Sequence, residues 1–240
     1  MRYNELTMSK STATAYDQEF IVTVDVALFC LKDSGLHVVV HRRDKEPFQG
    51  KLALPGGYVH KQEDADSLAA AIRVIKQKTG ISPPYLEQLY TFADAKRDPR
   101  GWSVSMSYFA LVSEKVLMQS REATGATERF ELMDVDSGQR LSFDHNRILN
   151  AALERLRNKS AYSTLPCFLL ERDFTLGELQ ATYESVMGVS LNKSAFRRKM
   201  AELDILEESS GQREGAHRPA QLFRLKKFVS KRLTVLDRPI

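Results

Sequence analysis

The sequence predicts an α+β protein with two domains: a larger one built on a mixed β-sheet, then a smaller, helix-rich one. Up to residue 158, segments rich in β-branched residues alternate with segments of helical periodicity. Beyond residue 168, two closely spaced helices precede two short strands. Charge follows the same division, because Lys and Arg outnumber Asp and Glu by 12 to 6 from Ser190 onward, against 23 to 25 before it. The C-terminal part is therefore the one suited to a polyanionic partner.

The first domain is predicted to span residues 20–158, after an N-terminal extension, residues 1–19, to which no role is assigned. Phe20–Leu31 and Leu36–Arg43 are rich in β-branched residues and flank Lys-Asp-Ser-Gly, which predicts two strands joined by a turn. Asp66–Thr79 has apolar residues at helical spacing and ends before a glycine, which predicts a helix. The remaining predicted elements are strands at Leu89–Asp94 and Ser103–Val112, around a turn at Arg97–Gly101, and a helix at Asp144–Arg157.

The segment Asn158–Pro166 is polar and ends at a proline, which predicts a linker at residues 159–168, and residues 169–240 are predicted to form the second domain. Its first helix is predicted at Thr175–Met187, where Thr175 and Glu178 have the spacing of a capping box. The other predicted elements are a helix at Lys193–Leu203 capped by Asn192, strands at Ile205–Glu208 and Gln221–Lys226, and a loop at Ser209–Pro219 between them.

This order of helix, tight turn, helix, strand, loop and strand is typical of a winged helix-turn-helix, whose second helix enters the major groove of DNA. Phe196, Met200 and Leu203 form the apolar stripe of that helix. A small helical dimerisation domain with a basic surface is the alternative interpretation. The residues predicted to contact DNA lie on the second helix and on the wing: Asn192, Lys193, Ser194, Arg197, Arg198, Lys199, Arg213, His217 and Arg218.

A motif in the first domain resembles the Nudix box, G-x5-E-x7-R-E-U-x-E-E-x-G-U, where U is aliphatic. The matching positions are Gly57, Glu63, Arg73, Ile75, Gly80 and Ile81, with nine residues instead of seven between Glu63 and Arg73. The resemblance implies a Nudix α/β/α sandwich with a mixed sheet.

The Nudix pattern places three glutamates on one face of the helix, where they hold Mg²⁺ for the hydrolysis of a diphosphate. This chain has Val74, Gln77 and Lys78 at those positions. A valine offers no ligand, an amide is neutral, and an ammonium repels a divalent cation. We therefore expect no metal, no required cofactor and no Nudix hydrolysis.

What remains is a pocket for a nucleoside diphosphate. Gly56 and Gly57 allow close approach of the backbone, and Arg42 and Arg43 are suited to binding phosphates, although each is equally consistent with a solvated charge. The predicted ligand-binding set also contains residues assigned on weaker grounds, of which the two phenylalanines are more often core residues: Phe20, Asp25, Phe48 and Lys78.

The whole chain after Phe20 resembles the bacterial Nudix-related transcriptional regulators of NAD metabolism, which join a degenerate Nudix domain to a winged helix. The likeness extends to Leu54–Val59, Ser142–His145, Phe174–Leu179 and Phe196–Lys199. It implies a dimeric repressor of NAD biosynthesis or salvage genes that ADP-ribose releases from an operator of double-stranded DNA. We expect the operator to be an imperfect palindrome.

Two other functions stay open. Glu63, Asp64 and Asp66 offer displaced carboxylates for an active ADP-ribose pyrophosphatase. An RNA-binding Nudix protein is the second possibility, although the basic helix has no base-stacking aromatic stripe.

The absence of an apolar run of membrane-spanning length predicts a cytoplasmic protein without a membrane partner. Cys30 and Cys167, both in apolar segments, are predicted to be buried thiols.

Overall fold

A computed structural model of the chain describes residues 20–123, 130–213, 219–227, 229, 233–236 and 240. Within these residues the first domain is built on a seven-stranded sheet in the order β3-β2-β1-β6-β5, with β4 paired to β1 and β7 to β2. β1 runs parallel to β6 and antiparallel to its other partners, which confirms the mixed sheet. The strands are β1 (Ile21–Lys32), β2 (Gly35–Arg42), β3 (Leu52–Ala53), β4 (Gly56–Tyr58), β5 (Tyr85–Asp94), β6 (Ser103–Leu111) and β7 (Glu131–Asp134).

Helices cover both faces of this sheet, as the predicted sandwich requires. They are α1 (Ser67–Thr79), α2 (Glu114–Ala123) and α3 (His145–Ser160). Successive side chains of a strand point to opposite faces, so Val24, Val26 and Leu28 of β1 pack with α1 and α2. Ala27 and Phe29 pack with α3 on the other face.

The predicted turn and helix ends are confirmed. Asp33 and Ser34 adopt φ values of 49° and 64° between β1 and β2, as a tight hairpin turn with two left-handed residues requires. Asp66 caps α1 by accepting the N–H of Ala69 at 2.7 Å, and Gly80 ends the helix with φ of 78°.

Several parts of this domain differ from the prediction, including the short strands β3 and β4, which were not predicted. α2 was not predicted because Leu117 is its one buried residue, so its periodicity is weak. β7 was not predicted because it has four residues, of which Met133 alone is buried. β5 begins at Tyr85 instead of Leu89, and a register shift between Gln88 and Tyr90 interrupts its alternation.

The second domain has the predicted winged-helix order. α4 (Leu176–Met187) begins with both hydrogen bonds of the Thr175–Glu178 capping box. Gly188 ends α4 in the left-handed conformation, and Asn192 caps α5 (Lys193–Leu203) by accepting the N–H of Ala195. Three antiparallel strands complete the domain in the order β8-β10-β9: β8 (Phe174–Thr175), β9 (Leu206–Arg213) and β10 (Ala220–Leu225).

The predicted wing loop is shorter than expected, because β9 continues through Ser209 to Arg213 and pairs with β10. The segment predicted as a linker, residues 159–168, is not an exposed tether. Ser160, Ser163 and Thr164 are fully buried, and a short 3₁₀ helix follows at Leu165–Leu169. These polar residues are buried because apolar groups of both domains pack around them, whereas their polar character alone predicts exposure to solvent. The domain boundaries themselves stay a prediction.

The two domains are packed against each other. Val186 of α4 is fully buried in the same apolar cluster as α3 and the sheet of the first domain. The hydroxyl of Ser185 donates to the carbonyl oxygen of Ser34 at 2.7 Å, and Lys115 pairs with Glu171 at 2.9 Å. Contacts therefore join the winged helix to the β1–β2 turn, to α2 and to α3.

Cys30 and Cys167 are free and buried, as predicted. Burial raises the pKa of each thiol to about 12, so neither is a reactive thiolate. Among the helices of the described residues, none combines the length and the apolar character needed to cross a membrane.

Candidate functional site

A cleft of about 360 Å³ opens where β1, β4 and the loops after β2 and β5 meet the start of α3. Four residues of the predicted ligand set line it together: Asp25, Arg43, Gly56 and Gly57. Its size lies in the range usual for small-molecule sites. The rest of the lining was not predicted. The polar and aromatic side chains that determine its chemistry belong to His41, Tyr58, Arg97, Asp98, Arg100, Phe143 and His145.

The other four predicted ligand residues do not line the cleft. Phe20 is 48% exposed and packs its ring against Trp102. Arg42 points away from the cleft and pairs with Glu131 at 2.8 Å. Phe48 lies behind the rim, against the ring of Phe143. Lys78 is half-buried on α1, close enough to His41 to influence its ionisation. A role for any of them in ligand binding stays a prediction.

Asp25 is the centre of a buried polar network at the base of the cleft. Its Oδ2 accepts hydrogen bonds from Ser105 Oγ at 2.7 Å and from Arg97 at 3.3 Å. His145 Nδ1 accepts the N–H of Leu54 at 3.0 Å, so the ring proton lies on Nε2, 3.4 Å from Asp25 Oδ1. Burial alone raises the pKa of Asp25, but His145, Ser105 and Arg97 outweigh it and lower the pKa to about 2.

Arg97 connects this network to α3. It is 8% exposed and also binds both carboxylate oxygens of Asp144, at 3.1 and 2.9 Å. Asp144 is the residue that precedes α3, and His145 is the first residue of the helix. The start of α3 is therefore part of the cleft, whereas the helix itself packs against α4 of the winged helix.

Gly56 is required by the proximity of Asp25. A Cβ atom at residue 56 would lie 2.1 Å from Asp25 Oδ1 and 3.1 Å from the carbonyl oxygen of Val24. At Gly57, a Cβ atom would lie 3.1 Å from a methyl group of Val74. The paired glycines thus let β4 cross over both the charged base of the cleft and α1.

His41 lines the cleft in a strongly cationic environment. Burial, followed by the positive charge of Lys78, lowers its pKa to about 4, with smaller contributions from the neighbouring His145 and Arg43. The ring is therefore neutral near pH 7. Its Nδ1 is buried without a hydrogen-bond partner in the described part of the chain.

The helix that carries metal ligands in Nudix hydrolases corresponds to α1, which has no carboxylate at residues 74, 77 and 78. Val74 is 2% exposed and packs in the core beneath Gly57, so this position faces apolar groups. Gln77 and Lys78 occupy the other two positions. Within the described ranges, no group of three or more His, Cys, Asp or Glu side chains is arranged to hold a metal ion.

The displaced carboxylates already have partners. Asp64 binds Arg73 through both oxygens, at 2.7 and 2.6 Å, and the hydrogen bonds from Arg73 lower its pKa to about 2. Asp66 caps α1, and Glu63 pairs with His60 at 2.9 Å. These contacts anchor the inserted loop to α1.

The second candidate surface is α5. Phe196 and Met200 are buried, as the predicted stripe requires. Lys193, Ser194 and Arg197 are exposed, together with Arg198, which lies 3.8 Å from Glu202. Lys199 is half-buried, and the side chain of Asn192 is used in the cap. An exposed basic face at the start of this helix is the feature that DNA binding needs.

Of the three predicted wing residues, the structure describes only Arg213. Arg213 forms an ion pair with Glu178 and donates to the carbonyl oxygen of Asp173 at 3.2 Å, so it joins the base of the wing to α4. His217 and Arg218 lie outside the described residues. Contact of the predicted α5 and wing residues with DNA stays a prediction.

Sequence reasoning missed the segment Arg97–Arg100 because Asp-Pro-Arg-Gly is typical of a solvated turn. In the fold, Arg97 and Asp98 are only 8% and 3% exposed. The signal that could have identified this segment is the presence of two arginines and an aspartate within four residues. Phe143 and His145 belong to a segment noted for its family likeness, without a role.

Models of two families match the chain: the NUDIX domain over residues 22–151 and the NrtR DNA-binding winged helix domain over residues 166–225. The ADPR-responsive transcriptional repressor NtrR of Acinetobacter baylyi is 41% identical over 206 residues, 85% of this chain and 81% of the relative. The crystal structure of Shewanella oneidensis NrtR complexed with a 27mer DNA is 33% identical with a TM-score of 0.84, covering 91% of this chain and 99% of that one.

An ADP-ribose pyrophosphatase of Methanocaldococcus jannaschii is 30% identical over 148 residues, 62% of this chain and 83% of that enzyme. It therefore resembles a smaller part of the chain than the repressors do. The matches to both domains, in this order and over most of the chain, agree with the fold and with its two candidate surfaces. The chain belongs to the NrtR family of Nudix-related transcriptional regulators.

Proposed function

We propose that this protein is a transcriptional repressor that binds operator DNA through α5 and is released from it by ADP-ribose. The observation that carries the proposal is the combination of two features among the described residues. One is a Nudix domain in which no carboxylates are grouped to hold a metal ion, and the other is an exposed basic helix in a winged-helix domain. The repressor from Acinetobacter baylyi, 41% identical, is named for its response to ADP-ribose.

The effector acts by linkage between the two sites. If ADP-ribose binds more tightly to an arrangement of the domains that does not fit DNA, it must weaken DNA binding by the same factor. Such coupling is typically about 1–3 kcal/mol, or roughly 5- to 150-fold in affinity. α3 supports the proposal physically, because its first residues belong to the cleft and its side packs against α4.

The experiment is a titration of the protein against the DNA upstream of its own gene and of NAD biosynthesis and salvage genes, with and without ADP-ribose. We expect a specific complex on an imperfect palindrome whose dissociation constant rises at least fivefold with saturating ADP-ribose. An affinity that ADP-ribose leaves unchanged contradicts the proposal. Binding of single-stranded RNA in preference to duplex DNA points to the RNA-binding alternative.

A homodimer acting in the cytoplasm is part of the proposal, since helix-turn-helix proteins commonly bind two-fold sites as dimers. Sedimentation of the free protein and of the complex measures the number of chains on one operator. One chain per palindrome contradicts this part.

We also propose that the Nudix domain binds ADP-ribose without hydrolysing it and needs no metal. Val74 and Lys78 replace acidic ligands, and Asp64 and Asp66 are engaged in an ion pair and a helix cap. Incubation with ADP-ribose and Mg²⁺, followed by detection of AMP, tests this. Rapid release of AMP that is lost in Glu63→Gln, Asp64→Asn or Asp66→Asn variants supports the active pyrophosphatase, which the likeness to the archaeal enzyme keeps as the second candidate.

A further inference from the structure

The cleft contains an arginine without a carboxylate partner. Of the three arginines that line it, Arg97 pairs with Asp25 and Asp144, and Arg100 pairs with Asp98. Arg43 forms no ion pair with any described residue. Its Nε and Nη2 donate to the carbonyl oxygens of Pro47 and Lys45, at 2.6 and 3.4 Å, which leaves Nη1 for a ligand.

Phe143 brings Arg43 and Arg100 together. The guanidinium carbon of Arg43 lies 4.6 Å from the centroid of the Phe143 ring, and that of Arg100 lies 5.8 Å from it. Stacking on an aromatic ring fixes the plane of a guanidinium and leaves its edge free for hydrogen bonds. Two cations are thereby held beside one ring, where they repel each other. An anion bound between them offsets this repulsion.

The backbone at this ring is strained. Phe143 has φ of 56° and Phe48, whose ring packs edge-on against it at 4.9 Å, has φ of 66°. Bulky side chains rarely adopt this left-handed conformation, and such residues are concentrated at ligand sites. The fold thus maintains an unfavourable backbone that places Phe143 beneath the two arginines.

Arg100 is positioned by its own partners. Its Nε and Nη2 bind the two oxygens of Asp98 at 2.9 and 2.6 Å, and its Nη1 donates to the hydroxyl of Tyr58. Because Asp98 is only 3% exposed, little solvent screens its charge. Its carboxylate therefore attracts Arg100 and, more weakly, Arg97. The remaining carboxylates of the lining, on Asp44 and Glu46, are exposed at the rim.

We propose that Arg43 and Arg100, stacked on Phe143, form a clamp for the diphosphate group of the ligand, and that Asp98 is the positioning residue for Arg100. Two planar guanidinium groups converging from different loops suit two adjacent phosphoryl groups, which each accept hydrogen bonds from an arginine. The clamp supplies positive charge to the diphosphate group, which metal ions neutralise in Nudix hydrolysis. The clamp adds a binding mode to the proposed function, and it depends on that function for ADP-ribose as the natural ligand.

The test compares Arg43→Gln and Arg100→Gln with Arg157→Gln, a control on α3 whose arginine lies 3.9 Å from Asp136, outside the cleft. Calorimetry of the full chain with ADP-ribose, and separately with inorganic pyrophosphate, measures affinity in EDTA. We expect both cleft variants to lose about 10- to 100-fold in affinity for each probe, and Arg157→Gln to bind like the wild type. Phe143→Leu keeps an apolar side chain but removes the ring, so we expect a loss of about 5-fold or more.

Cleft variants that bind both probes as tightly as the wild type overturn the clamp and leave the repressor proposal intact. If the wild type binds pyrophosphate but not ADP-ribose, the clamp stands and the proposed effector fails. Wild-type binding that disappears in EDTA overturns the clamp, because a metal ion then carries the diphosphate. The Arg100→Lys variant keeps the positive charge but loses the planar guanidinium that binds both oxygens of Asp98. We therefore expect its affinity to stay as low as that of Arg100→Gln. Thermal melts of each variant confirm that it is folded.

Discussion

At Asp25, the fold holds a carboxylate that water would otherwise solvate. It is 5% exposed, and its charge is balanced by Arg97 and by hydrogen bonds from Ser105 and His145. A buried charge is tolerable only when paired in this way. Asp25 therefore contributes to stability and also fixes the positions of two other cleft residues.

Asp25→Asn is expected to lower the free energy of unfolding by about 2 kcal/mol at pH 7. Because the pKa of Asp25 is lowered in the folded state, from an unfolded value of 3.8 to about 2, its contribution is complete above pH 4. It is lost as the pH falls from about 4 to about 2. Urea unfolding across this pH range measures the difference between variant and wild type, which should shrink only below pH 4.

Asp44→Asn serves as the control, because Asp44 lines the same cleft but is exposed. We expect it to change stability by less than about 0.5 kcal/mol. A difference between Asp25→Asn and the wild type that persists unchanged at pH 2 would show that the carboxylate charge is not its source.

Among the elements, α1 keeps the local structure of a capped helix while three of its residues differ from the Nudix pattern. Its caps, its apolar face and the Arg73–Asp64 ion pair are those of a stable helix. Of the residues that differ from the Nudix pattern, Val74 faces β4, Lys78 lies near His41 and Gln77 is exposed. Val74 adds apolar contact with Gly57, which a glutamate would replace with a buried charge.

Restoring the acidic set, as Val74→Glu with Gln77→Glu and Lys78→Glu, is expected to destabilise the metal-free protein and to create a Mg²⁺ site. Magnesium at about 100 times its dissociation constant should then recover about 2–3 kcal/mol. Thermal unfolding with Mg²⁺ and with EDTA gives the result. The control is Val74→Gln with Lys78→Gln, which keeps Gln77, and a wild-type Tm that rises with Mg²⁺ would contradict the proposal that the domain needs no metal.

The exposed face of α5 should bind DNA mainly through charge. Lys193→Ala and Arg197→Ala are each expected to weaken operator binding about fivefold or more, and to reduce the slope of log affinity against log salt by about 1. Fluorescence anisotropy at several salt concentrations measures both quantities. Lys76→Ala on α1, also exposed, is the control, and a slope equal to the wild type in the α5 variants argues against phosphate contact.

For the molecule as a whole, the contact between the domains is the structural basis of coupling. Val186 is fully buried against the first domain, and Ser185 donates a hydrogen bond to Ser34. α3 reaches from the cleft to this contact. A ligand that changes the cleft can therefore change the position of the winged helix without crossing a flexible tether.

We expect Ser185→Ala with Val186→Ala to lower stability by about 2–3 kcal/mol and to reduce the effect of ADP-ribose on DNA affinity toward unity. Each ligand alone should still bind. The measurement is the ratio of operator dissociation constants with and without ADP-ribose. Val189→Ala, an exposed valine just beyond α4, is the control. An unchanged ratio in the double variant would place the coupling elsewhere.

The amino-acid sequence by itself determined the local structure and the chemistry of α1. Helix caps, the β1–β2 turn and the order of the winged helix depend on neighbouring residues, so they are readable from spacing. The replacement of metal ligands by Val74, Gln77 and Lys78 is equally a property of sequence. The tertiary structure decided which charges enter the cleft. Arg43 enters it and Arg42 does not, and Arg97 reaches Asp25, because contacts between distant segments are set by the packing of the sheet and α3.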